Sequence, residues 1–257
     1  MKKILIYTAI TGGYDSLNPV LAEEPNVDYI CITDYNFTGN IPSPWRHIRL
    51  PPSKLSNKNL ARFCKINPHI LFPYYNTSIW IDGNVSIKQP LSLLAFEVLK
   101  NHKIASYEHW GRDQTEQEFY ECARCGFDFA WKLKRQSTRY ILDGYTSPNF
   151  FENNVIFRNH MDKKIIDMQN IWWKEYILGG KRDQYSFTYS AYKASVNIFS
   201  LGISDPRISK VYFDYHLHKR NRPLWQTVLI VINRLYLLFS KWSVSKSKRK
   251  NLLSQKK

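Results

Sequence analysis

Four cysteines in 257 residues, Cys31, Cys64, Cys122 and Cys125, are too few and too scattered for a disulfide framework. Cys122-Ala-Arg-Cys125 has the spacing of half a zinc knuckle, but neither Cys31 nor Cys64 has a second cysteine beside it, so free thiols are expected. The N-terminal apolar run, Ile4 to Tyr7, is too short for a secretory signal and ends in Thr8 rather than a cleavage site, which places the chain on the cytoplasmic side. Internal repeats and low-complexity blocks are missing, as are the spacings of the dinucleotide fingerprint and the P-loop. Acidic residues are missing too: none follows Asp214, whereas eleven Lys and Arg do. Of the net charge of +16 this leaves +5 for the first 214 residues, an ordinary value for a phosphate-binding domain and unlike the spread-out charge of a nucleic-acid binder.

What is present is an alternation of short apolar runs and helical patterns long enough for one α/β core. Lys3 to Thr8 reads as a first strand, opening into the loop Ala9 to Asp15 with Gly12-Gly13, either a plain turn or a place where backbone approaches a ligand. A second strand, Asp28 to Thr33, stops at Asp34, whose carboxylate could accept from a base or ribose or simply cap a loop. Trp45 to Arg49 reads as a third strand, and a helix N-capped by Ser53 runs to Ile66 with Lys58, Arg62 and Lys65 on one face. That face is either solvated or placed to meet diphosphate oxygens.

The stretch Ser78-Ile79-Trp80-Ile81-Asp82-Gly83-Asn84 delivers two oxygen-bearing side chains at a strand end. It is either an Asp-Gly turn or a pair of ligands for a hard divalent cation. Pro90 to Asn101 is a helix, Ile104 to Tyr107 a strand, and Asp113 to about Leu142 a polar helical excursion covering the site. Phe151 to Arg158 is a strand entered through Asn153 and Asn154, whose amides suit sugar hydroxyls as well as turn chemistry. A helix from Asp162 to Leu178 ends at Gly179-Gly180, and Asp183 is placed as N-cap of an aromatic-rich helix from Tyr185 to Lys193. Val211 to His218 is strand-like and closes on His216 and His218.

These signals, in this order, resemble the glycosyltransferase-like family found in bacterial polysaccharide loci and in plant mucilage-related proteins, itself similar to GT-A fold nucleotide-sugar transferases. The resemblance runs from about Lys3 to His218 and is carried by residues 7–15, 28–34, 61–69 and 78–84, by Phe119-Tyr120-Glu121 and by Arg182-Asp183-Gln184. It implies a single GT-A-like, Rossmann-like α/β domain over 1–218, with a mixed central sheet flanked by helices. It also implies a nucleotide-sugar donor and a hydroxyl of a polysaccharide or lipid-linked glycan as acceptor. Asp82 and Asn84 would hold Mn2+ or Mg2+ against the donor diphosphate, joined by His216 or His218. A neutral imidazole favours Mn2+. Thr8, Gly12, Asp34, Arg62, Lys65, Asn153, Asn154 and Gln184 would contact substrate. An inverting reaction needs a carboxylate base, with Asp183 first and Glu121 second; retention would instead use Asp183 and Gln184 to orient the donor.

The remaining segment, 219–257, is a strongly apolar stretch from Leu224 to Trp242 flanked by cations on both sides. Charge on both flanks gives no asymmetry to drive insertion, so an amphipathic helix lying on an anionic membrane is expected, peripheral to the inner face of the cell membrane. A core helix with a basic tail is the alternative. A competing reading of the whole chain is a non-catalytic basic module for anionic lipid or nucleic acid, with Asp82-Gly83-Asn84 a turn. The terminal position of the basic excess argues against nucleic acid as a partner.

Overall fold

The computed structural model describes residues 3–147, 149–217, 223–240 and 244. Strands β1 (Ile4–Ile10), β2 (Val27–Thr33) and β3 (Arg46–Arg49) lead to helices α1 (Asn57–Ile66) and α2 (Pro68–Leu71). Then come β4 (Ser78–Ile81), β5 (Val85–Ile87), α3 (Ser92–Asn101) and β6 (Ile104–Glu108). The excursion consists of α4 (Thr115–Arg124) and α5 (Ala130–Leu142), followed by β7 (Phe151–Arg158), α6 (Lys163–Leu178) and α7 (Gln184–Lys193). The chain continues through β8 (Phe199–Ile203), a wide helical turn at Asp205–Ser209, β9 (Phe213–Tyr215) and α8 (Leu224–Ser240).

Period-two alternation in apolar strands buries both faces of one seven-stranded sheet, ordered β3-β2-β1-β4-β7-β6-β8. Ile6, Ile79 and Phe157 face one core, covered by Leu91 and Ala95 beside α3 and by the small β5-β9 sheet. Leu5, Tyr7, Trp80 and Ile156 face the other, covered by Cys64 of α1, Trp172 and Tyr176 of α6 and Phe187 of α7. The strands β1 to β4 are parallel, whereas β7 runs antiparallel to both neighbours, so the sheet is mixed. From β1 the chain steps outward to β2 and β3 and returns on the other side as β4. The strand order reverses there, and ligands in open α/β sheets bind beyond the carboxyl ends of strands at such a point.

Several boundaries differ from the sequence reading. β1 runs on to Ile10, because Ala9 and Ile10 find neighbours in β2. α1 begins at Asn57, and its N-cap is Ser56, whose hydroxyl accepts from the Asn59 N–H, instead of Ser53. The strand expected from Val211 to His218 shortens to three residues paired with β5, outside the main sheet. β5 and β8 carried too little apolar periodicity to be foreseen. The excursion has its own small core, in which Phe119 stacks on Tyr185 and Tyr140 on Tyr189 of α7. α8 is docked on α4 and α5. Cys31, Cys64, Cys122 and Cys125 are free thiols.

Candidate active site

Asp82 continues β4 by one residue: its N–H donates to Asn154 O at 2.8 Å, placing it at the mouth of the sheet beside β7. Residues two apart share a strand face, so Trp80 Nε1 reaches Asp82 Oδ1 at 2.7 Å. Lys65 Nζ donates to that same oxygen at 3.1 Å, and 28 % of the Asp82 side chain stays open to solvent. A tight turn follows, with Val85 N–H donating to Asp82 O. Asn84 is locked to β9 because its Nδ2 donates to His216 O at 2.6 Å and its carbonyl accepts from His216 N–H at 2.9 Å. Fixing Nδ2 in this way makes Oδ1 the amide atom able to serve a cation. The His216 ring itself is exposed and bonds Ser86 Oγ through Nε2 at 2.6 Å. His218 lies outside the described residues.

A cleft of about 630 Å3 opens beyond β1 and β2, lined among others by Gly12, Asp15, Asp34, Phe37 and Asn57. Its floor is a hydrogen-bonded frame: Asp34 Oδ2 accepts from Gly12 N–H at 2.7 Å and Oδ1 from Asn36 N–H at 3.0 Å. Gly12 has φ +65°, and a Cβ there would lie 2.4 Å from Asn57 Nδ2, so both conformation and space require glycine. The cleft reaches the acidic turn through Asp15. A Cβ on Gly83 would lie 3.4 Å from Asp15 Oδ2, which puts this carboxylate against the Asp82-Gly83-Asn84 turn while it also lines the cleft. Sequence reasoning gives Asp15 no role, since a loop acid twelve residues before the next strand, β2, has no spacing that links it to β4.

On the other flank of Asp82 lies a buried ion cluster. Asp183 Oδ1 is 2.9 Å from Arg62 Nε, and Oδ2 is 2.9 Å from Lys65 Nζ. Asp183 does occupy the N-cap position of α7, yet its side chain makes no capping bond and turns to the cations instead. Burial alone would raise its pKa; Arg62 and then Lys65 outweigh burial and hold the carboxyl well below the usual carboxylate range. Such a group stays ionised and is a poor proton acceptor, which removes the physical basis for Asp183 as a general base. Lys58 is accessible yet recessed, and crowding by protein atoms, then by Arg62 and Arg182, pulls its ammonium below the ordinary lysine range.

Other expected contacts are corrected by burial. Thr8 lies inside β1 and is only 1 % exposed, so it cannot meet a ligand; Thr11, at the strand mouth, holds α1 through a 2.7 Å bond from Oγ1 to Asn57 O. Lys65 is enclosed between Asp82 and Asp183, leaving Arg62 as the partly open cation of that pair. Asn153 and Asn154 are enclosed too. Asn154 Nδ2 donates to Glu152 Oε2, and Asn153, at φ 61° in β7, has an amide with no partner among the described residues. Glu121 pairs with Arg124 of its own helix, and that bond lowers its pKa. The inward carboxylate of α4 is Glu118, bridging Arg112 and Arg182 at 2.5 Å each. Gln184 Nε2 donates to Glu152 O at 2.7 Å and its Oε1 accepts from Arg182, so it ties α7 to β7.

Glu152 was not singled out beforehand. It is buried beside Ser204 and Arg207, with Ser204 Oγ donating to its Oε2 at 2.6 Å; burial raises its pKa, and Arg207 opposes this. As for a metal, among the described residues no three Asp, Glu, His or Cys side chains form a group that could hold one. What is present is a partial oxygen set, the open side of Asp82 and Asn84 Oδ1. It fits a hard cation that takes its remaining ligands from water and phosphate.

The family model described as "TOD1/MUCI70, glycosyltransferase-like domain" matches residues 35–204. No curated protein matches the chain. Among solved structures it is similar to the apo WbbM bifunctional glycosyltransferase, at 10% identity and a TM-score of 0.49 over 78% of this chain, and it spans 39% of that one. It is similar to the galactosyltransferase LgtC in complex with donor and acceptor sugar analogues, at 12% identity and a TM-score of 0.41, covering 76% of this chain and 72% of that one. Apo mouse xyloside xylosyltransferase 1 is similar at 10% identity and a TM-score of 0.40, covering 77% and 84% respectively.

Proposed function

Because the chain belongs to the TOD1/MUCI70 family of glycosyltransferase-like domains, we propose that it moves a sugar from a nucleotide-diphosphate donor to a hydroxyl of a polysaccharide or lipid-linked glycan. The observation that carries this reading is the sharing of Asp15 between the 630 Å3 cleft and the acidic turn at the strand-order reversal. A nucleoside in the cleft would have its diphosphate directed at Asp82 and Asn84.

Mn2+ or Mg2+ would be held there by Asp82 and Asn84 Oδ1, with His216 the described imidazole nearest the turn. When bound, such an ion supplies positive charge to the leaving diphosphate. The chain's own residues supply the rest. Arg62, anchored by Asp183 yet 29 % exposed along its side chain, offers a second fixed positive charge to the leaving group. Asp183 holds Arg62 in place and shares Lys65 with Asp82. Asp34 and Gly12 keep the cleft in shape before ligand arrives.

Turnover of a panel of nucleotide sugars, read as release of nucleoside diphosphate with and without Mn2+, tests the reading. Wild-type protein should turn over at least one donor in a metal-dependent manner, and Asp82→Ala should lose about 100-fold or more, as removal of a charge-stabilising group does. Equal turnover in the two proteins would refute it.

A further inference from the structure

α8 has two apolar faces, and only one of them is used. The inner face packs Leu229, Ile230 and Asn233 on α4 and α5. Asn233 fixes the helix rotationally: Oδ1 accepts from Ala130 N–H at 2.8 Å, and Nδ2 donates to Ala123 O at 2.7 Å and Asp128 O at 2.9 Å. Gln226 Nε2 adds a bond to Cys125 O at 2.8 Å, and Gly126 leaves room for the helix, since a Cβ there would lie 2.8 Å from Gln226 O. On the opposite side Leu224, Trp225, Val228, Ile232, Leu235 and Phe239 are each at least 42 % exposed. At 3.6 residues per turn they form one stripe along the whole helix, about 26 Å long.

A second exposed apolar pair lies on the element to which α8 is docked. Phe129 and Trp131 flank Ala130, the residue bonded to Asn233; their rings lie 4.1 Å apart, and both are 40 % or more exposed. An exposed apolar stripe of this length on one helix marks an interaction site. Its surroundings in sequence are uniformly basic: Lys219, Arg220 and Arg222 before the helix, Lys241 and the lysine-rich run from Lys246 after it, with no acid beyond Asp214. A second copy would bring like charges together, whereas an anionic surface complements them. No helix among the described residues is long and apolar enough to cross a membrane, and an amphipathic helix with aromatic and aliphatic residues on one face and cations around it is suited to the plane of an interface.

We propose that the outer face of α8, together with Phe129 and Trp131, is a docking surface for an anionic lipid bilayer, on which the molecule lies by insertion of this shelf and not by charge alone. The inference is independent of the proposed transfer reaction, and its readout is binding. Full-length protein is sedimented with vesicles of phosphatidylcholine alone and of phosphatidylcholine mixed with phosphatidylglycerol. Wild type should partition to the anionic vesicles, the double substitution Val228→Asp with Leu235→Asp should weaken partitioning by about tenfold or more, and Phe129→Ser with Trp131→Ser by several-fold, with unchanged melting. Because aspartates could disturb the docking of α8, quenching by brominated lipid is compared between wild type and Trp225→Phe, where the quenched fraction should fall. Three results would overturn the proposal: no partitioning of wild type, undiminished partitioning of the aspartate variant, or a concentration-dependent dimer abolished by that same variant.

Discussion

Asp183 is the residue on which the candidate site is balanced, since it compensates two cations that burial would otherwise destabilise. Replacing it by Asn leaves Lys65, only 2 % exposed, and Arg62 facing a neutral amide, and removal of one partner from a buried pair costs about 3–5 kcal/mol. Urea unfolding at neutral pH should show that loss in Asp183→Asn. The pH dependence has a definite sign. The folded carboxyl is depressed, so its contribution is fully present above the unfolded value near pH 4 and is lost as pH falls toward the folded value. As pH falls below about 4 the wild type should therefore lose stability from this group, a pH dependence that unfolding of Asp183→Asn should lack. At Gly12 the demand is conformational: alanine must adopt φ +65° and displace Asn57, which should cost about 1–2 kcal/mol and deform the cleft frame, seen as a lower melting point and weaker nucleotide binding. The Asp82 and Gly12 positions were legible in the sequence because strand-end acids and Gly-rich loops carry local signals. Asp15 and Glu152 were not, because Gly83 beside Asp15, and Ser204 and Arg207 beside Glu152, lie more than fifty residues away in the chain.

At the scale of elements, strand and helix existence followed from periodicity, which is why β1, β2, β4, β7, α3, α6 and α7 lie close to where apolar spacing put them. What spacing could not convey was which face an acid or amide would take. Glu121 and Glu118 sit one turn apart on α4, and only tertiary packing decides that Glu118 meets Arg112 and Arg182 while Glu121 pairs with Arg124. Likewise Thr8 and Thr11 both seemed near a strand end until pairing with β2 carried β1 on to Ile10. Asn233 offers the clearest element-scale expectation. It is buried with three bonds to backbone groups of α4, α5 and the turn between them; in Asn233→Leu Ala123 O keeps the Gly126 N–H, whereas Ala130 N–H and Asp128 O lose this partner at about 1–3 kcal/mol for each buried donor or acceptor. Hydrogen exchange should accelerate across Leu224–Ser240 in that variant while β1 and β4 keep wild-type protection.

For the whole molecule, the parallel half of the sheet supplies a frame that converges cleft, acidic turn and cation cluster at one edge, and the antiparallel β7 closes that edge against β4. An incomplete oxygen set at Asp82 and Asn84 means that metal and nucleotide should bind as a unit, each poorly alone. The direct measurement is thermal unfolding with nucleoside diphosphate alone, Mn2+ alone, and the two together. A ligand at one hundred times its dissociation constant stabilises by about 2.7 kcal/mol, or about 5–10 °C for a chain of this size. The account predicts a rise of that order with diphosphate and Mn2+ together, much less with either alone, and none in Asp82→Ala. A combined rise that survives unchanged in Asp82→Ala, or no rise with any nucleoside diphosphate, would contradict it.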